Sequence, residues 1–138
     1  MCIRDRLMGI DQVEHRIVKP PLAWAGTPAD TLCDLDALTT ATEFFTANAA
    51  ETASAFPKNA NVAMTTALAG IGPERTQITL VADPAASTNR HELHAHGAFG
   101  EMQVTIANQP LPANPKTSAM AALSLARAIK NRVASIAI

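Results

Sequence analysis

Three strand-like segments, Gln77–Ala82, Arg90–His96 and Glu101–Ala107, crowd into the span 77–107, and this crowding constrains the fold more than any other feature. Strands so grouped, instead of alternating with helices, point away from a doubly wound parallel sheet and toward an α+β layer. Glu101–Ala107 alternates Met102, Val104 and Ile106 with Glu101, Gln103 and Thr105, so the first three are expected to face inward. Gly97 and Gly100 mark the turn between the last two segments, which are predicted to form an antiparallel hairpin.

The segments before them fit the same architecture. Gln12–Val18 alternates Val13, His15 and Ile17 with Glu14, Arg16 and Val18 and reads as a strand ended by Pro20-Pro21. Leu22–Asp36 is rich in turn formers and is expected to be an ordered loop with one short helical turn. Thr42–Thr46 is β-branched and aromatic, hence a strand. Asn48-Ala-Ala-Glu51 has the spacing of a capping box and predicts a helix to about Phe56, where Pro57 breaks it. A second helix follows from Asn59 or Asn61 to Leu68, with Gly70 and Gly72 as stop signals. Asn114-Pro115 reads as an N-cap followed by proline at the first helical position. The helix it predicts carries Ala122, Leu125, Ala126, Ile129 and Val133 on one face. The expected fold is an open mixed or antiparallel sheet with helices on one face.

Composition narrows the partners. Twelve acidic side chains oppose eleven basic ones, and no run of Lys and Arg occurs, which argues against nucleic acid and anionic membranes. Cys2 and Cys33 make neither a disulfide framework nor a CxxC pair, so a reducing cytoplasm is expected. No apolar run is long enough to span a membrane, and the charged first six residues do not make a signal peptide. Met1–Arg6 has no periodicity and reads as a scar of truncation. Residues 1–8 are expected to be disordered, and the domain to run over 9–138.

Among the four histidines, His91 follows the loop 83–89 and sits at a strand entrance, where a site can open. His91, Leu93 and Ala95 share one strand face, with Glu92, His94 and His96 on the other. His94-x-His96 lacks a third ligand, so no metal is expected. His15, on an apolar face, reads as packed or interfacial. Asn59 and Asn61 stand at a helix start, where they either cap the helix or receive a ligand. Lys116, Thr117 and Ser118 stand at the predicted Asn114 helix start, where they either hold a carboxylate of a small molecule or belong to a plain cap with Lys116 solvated. Gly70-x-Gly72 lies at a helix end and is no dinucleotide fingerprint.

The strings KPPLAWAGTPAD, FPKNANVA, ALAGIG, ADP followed by N-x-H, GAFG and NPKTSA occur in one order. Together they resemble the C-terminal domain of the L-aspartate dehydrogenase family over about Gly9 to Ile129. The resemblance implies a two-domain enzyme whose N-terminal Rossmann domain binds NAD or NADP. The C-terminal α+β domain then supplies substrate contacts and a homodimer interface. It implies oxidation of L-aspartate to iminoaspartate, which feeds NAD biosynthesis or hydrolyses to oxaloacetate and ammonia. His91 of N-x-H matches the family's active-site histidine, and Asn61 of FPKNAN matches an asparagine that contacts the cofactor. A histidine near its free pKa can accept the amine proton or activate water on the imine, and Asp83 is expected to order the loop ahead of it. The nucleotide-binding half is expected to be missing, which makes the chain inactive alone. Half of a dihydrodipicolinate reductase or homoserine dehydrogenase, or a non-catalytic dimerisation module, would share the fold.

Overall fold

The computed structural model describes residues 9–111 and 114–118. The expected scar at residues 1–8 and the helix face from Ala122 to Val133 lie outside the described residues. Five strands form one open sheet: β1 (Ile10–Lys19), β2 (Thr42–Asn48), β3 (Thr76–Ala82), β4 (Arg90–Gly97) and β5 (Gly100–Ala107). Their order is β2-β3-β1-β4-β5. β1 lies parallel to β3 and antiparallel to β4, and the outer pairs are antiparallel, so the sheet is mixed.

The segment between β1 and β2 folds into a 3-10 turn (Pro21–Ala23) and the four-residue helix α1 (Ala29–Leu32), two helical turns where one is expected from sequence. It locks itself. Gly26 N–H donates to Asp30 at 2.9 Å, Thr27 Oγ1 donates to the Trp24 carbonyl, and Ala29 N–H donates to Thr27 Oγ1. These bonds hold Trp24 inward, where its indole N–H donates to the Val81 carbonyl at 2.9 Å.

Helix α2 (Ala49–Ala55) begins with both halves of the capping box made: Glu51 N–H donates to Asn48 Oδ1 at 2.8 Å, and Asn48 N–H donates to Glu51. Such a cap is worth about 1 kcal/mol. After a 3-10 turn at Pro57–Asn59, helix α3 (Ala60–Ala69) presents Ala63 and Ala67, one turn apart and fully buried, to the sheet. Small side chains there let the helix approach the sheet closely. The core gathers them with Ile17, Ile78, Leu80, Ala82, Trp24 and Phe56. A bulge between Glu43 and Phe45 turns both Phe44 and Phe45 toward Phe56, with ring centroids 6.0 and 5.0 Å away.

Gly97 closes the β4–β5 hairpin where only glycine fits, because a Cβ there would stand 2.0 Å from the Gly9 carbonyl oxygen.

Two expectations are corrected. Met102, Val104 and Ile106 do not face inward to a core: they lie beside Ala95, Leu93 and His91, while α2 and α3 pack chiefly on β1, β2 and β3, and all three stay 37–44% exposed. Asn114–Ser118 is strand β7, paired with β6 (Pro110–Leu111), and no helix begins at Asn114. The reason lies in the prolines. Gln109, Leu111 and Asn114 each precede one, which biases them to extended backbone, and a helix N-cap has the same extended dihedrals, so Asn-Pro is ambiguous by itself.

The sheet face away from α2 and α3 carries charged pairs beside the buried Val18 and Val81. Arg16 pairs with Glu43 and Glu92, Arg90 with Glu92, and His94 Nε2 stands 2.8 Å from Glu101. Exposed pairs of this kind contribute about 0–1 kcal/mol each. Within the sheet, Met102, Val104 and Ile106 of β5 are exposed large apolar side chains.

Candidate active site

The end of β1, the start of β4 and the start of α3 converge at one end of the sheet. The register brings Ile17 opposite His91, which puts His15 diagonally beside it on the same face. His15 Nε2 and His91 Nδ1 are 3.1 Å apart, with the rings tilted by 54°. His15 is 2% exposed and its Nδ1 has no hydrogen-bond partner among the described residues, whereas His91 is only half-buried.

Lys19 ends β1. Its ammonium lies 4.5 Å from the centre of the Trp24 ring and donates to Asn59 Oδ1. Burial lowers its pKa to about 8. Burial, and then the Lys19 charge, lower His91 to about 4. Burial and then His91 lower His15 to about 4. His91 is thus not near its free pKa, contrary to expectation from sequence, and both rings are neutral at pH 7.

Asp83 orders the loop ahead of His91. It receives Ala85 N–H on its carboxylate at 2.9 Å, donates its own N–H to the Lys19 carbonyl, and lies 3.8 Å from Arg90. Of the two asparagines, neither donates or accepts as a side-chain cap: Asn59 is turned to Lys19 by the preceding 3-10 turn, and Asn61 is exposed on the first turn of α3. Lys116, Thr117 and Ser118 lie on β7 and not on the first turn of a helix begun at Asn114. Among the described residues no three His, Cys, Asp or Glu side chains converge as metal ligands, and no helix is long and apolar enough to cross a membrane.

The family profile described as aspartate dehydrogenase, C-terminal, matches residues 3–132. The chain belongs to this family. Among its relatives, the L-aspartate dehydrogenase of Brucella anthropi is 57% identical over 131 residues, which are 95% of this chain and 49% of that protein. That of Polaromonas sp. is 52% identical, over 92% of this chain and 48% of its own length. The crystal structure of aspartate dehydrogenase from Thermotoga maritima superposes with a TM-score of 0.69 at 26% identity, covering 94% of this chain and 47% of that one. The chain spans about half the length of the curated relatives it matches.

Within this aspartate dehydrogenase C-terminal domain, sequence reasoning singled out His91 and passed over the two groups that stand with it. Lys19 carried one usable signal, a cation that follows the buried pair Ile17 and Val18 at the end of a strand. His15 carried none, because its partner is 76 residues away.

Proposed function

We propose that the chain is the substrate-binding and catalytic half of an NAD(P)-dependent L-aspartate dehydrogenase, with His91 as the residue that meets the substrate at its reacting carbon. The observation that supports this reading most is the cluster of His91, His15 and Lys19 at one end of the sheet, beside the start of α3. A half-buried imidazole, a half-buried cation and an ordered loop suit a small dianion. Lys19 supplies positive field for one carboxylate of L-aspartate, and the arriving negative charge raises the proton affinity of His91.

Asn61, exposed on the first turn of α3, fits the amide of a nicotinamide, and most of the dinucleotide site would lie outside these 138 residues. When bound, NAD or NADP accepts the hydride from the substrate's Cα. Lys116, Thr117 and Ser118 are proposed to meet the second carboxylate on residue chemistry alone, as a cation followed by two hydroxyls. The product, iminoaspartate, would feed NAD biosynthesis or hydrolyse, in the cytoplasm.

Joined in frame to the remaining half of the Brucella anthropi relative, the chain is expected to restore L-aspartate-dependent reduction of NAD or NADP, while the chain alone shows none. A folded chimera that binds dinucleotide but turns over no aspartate counts against the assignment.

The assembly is proposed to be a homodimer that covers Met102, Val104 and Ile106, since contiguous apolar surface of this kind favours association. Light scattering at ~100 μM should report twice the chain mass, a concentration at which mass action favours association. A dimer that persists when all three are replaced by Ser would place the interface elsewhere.

A further inference from the structure

We propose that His15 is a positioning residue that fixes the tautomer of His91, so that neutral His91 turns an Nε2–H donor, and not a lone pair, toward the substrate. This rests on the reading of His91 as the residue that meets the substrate. A single hydrogen bond joins the two rings, His15 Nε2 to His91 Nδ1 at 3.1 Å. Two neutral imidazoles hold two protons, and that bond uses one of them. The other sits at one end of the pair, on His15 Nδ1 or on His91 Nε2.

The two ends are not equivalent. His15 Nδ1 is buried and has no hydrogen-bond partner among the described residues. A proton placed there would be an unsatisfied buried donor, which costs about 1–3 kcal/mol. A bare ring nitrogen at the same place is an unmatched acceptor, and protein interiors tolerate unmatched acceptors more readily than orphaned N–H groups. The outer proton therefore belongs on His91 Nε2, and the inner one on His15 Nε2, which donates to His91 Nδ1.

This assigns chemistry. With its Nε2 protonated, His91 cannot take a proton from the substrate's amine at that atom. It can donate a hydrogen bond to an oxygen, whether of a carboxylate or of a carbonyl, as a neutral histidine does when it polarises a substrate without ionising. Burial and Lys19 hold the ring neutral, which keeps it in that role at pH 7. The ligand class this end of the sheet selects is an oxygen acceptor, and His15 is the residue that makes it so.

The test is the nitrogen spectrum of the chain labelled with 15N-histidine at pH 7, in which protonated and bare ring nitrogens resonate far apart. The expected result is His91 with Nε2 protonated and Nδ1 bare, and His15 with the same pattern. A His91 protonated at Nδ1 overturns the proposal. His15→Glu replaces the donor by an acceptor and is expected to invert the His91 pattern, and a folded variant with the wild-type pattern also overturns it. If that variant does not fold, the wild-type spectrum still decides. The broader reading fails separately, if His91→Ala in the joined enzyme leaves aspartate oxidation intact.

Discussion

Replacing His91 by Ala in the joined two-domain enzyme is expected to lower turnover of L-aspartate by about 10²–10⁴-fold, the range for loss of a positioned proton-handling or hydrogen-bonding group. Stability should fall by no more than about 1–3 kcal/mol, the cost of one buried donor left unpaired. His91 is half-buried at the entrance of β4, and the strand keeps Leu93 and Ala95 on the same face to pack. The hydrogen bond from His15 is lost, and the buried His15 Nε2–H is left without its acceptor. His94→Ala and His96→Ala are the controls, because both point to the opposite face, where His94 stands against Glu101. They should stay within a few-fold of the parent. Steady-state rates and melting temperatures on the same samples separate a chemical loss from an unfolding one. An active His91→Ala enzyme, or selective failure of the two controls, would mean that the site lies on the other side of the sheet.

The second large effect is on folding. Trp24→Ala should cost about 3–5 kcal/mol, as for deletion of a large buried aromatic, against a total of about 5–15 kcal/mol for a domain. Trp24 is fully buried, packs edge-on against Phe44 at 5.0 Å and Phe56 at 6.3 Å, and satisfies the Val81 carbonyl. It also forms the surface beneath Lys19. Trp24→Phe keeps most of the packing and loses the indole hydrogen bond, so it should cost much less. Urea titration followed by circular dichroism measures both, because the only tryptophan of the chain is the residue removed. A loss under 1 kcal/mol for Trp24→Ala would show that the turn 24–30 folds over the gap.

The five sheet strands could be read from sequence because each carries a period-two pattern or a β-branched run, and α2 because Asn48 and Glu51 write its start. The order of the sheet could not. β1 inserts between β3 and β4, and pairing with a strand so remote in sequence leaves no local trace. β7 was hidden by a real ambiguity, since proline restricts its predecessor to backbone that serves a strand or a helix cap equally well. His91 was legible through its place after a loop and its N-x-H context. His15 was not: on an apolar strand face a histidine looks like core, and only the cross-strand register turns it toward His91. Lys19 was quoted in a motif without a role, because the indole and amide that hold it come from two other segments.

The central place of β1 carries a cost during synthesis. Among the described strands of this sheet it comes first in sequence, yet it lies between β3 on one side and β4 on the other. It leaves the ribosome with both edges bare, and its partners follow much later, His91 coming 76 residues after His15. Sheets built on such distant pairings fold in roughly milliseconds to seconds, and an unpaired strand is meanwhile a template for neighbouring chains. Gln12, Glu14 and Arg16 therefore serve before the sheet exists: spaced along a waiting strand, they act as gatekeepers that discourage stray pairing until β3 and β4 arrive.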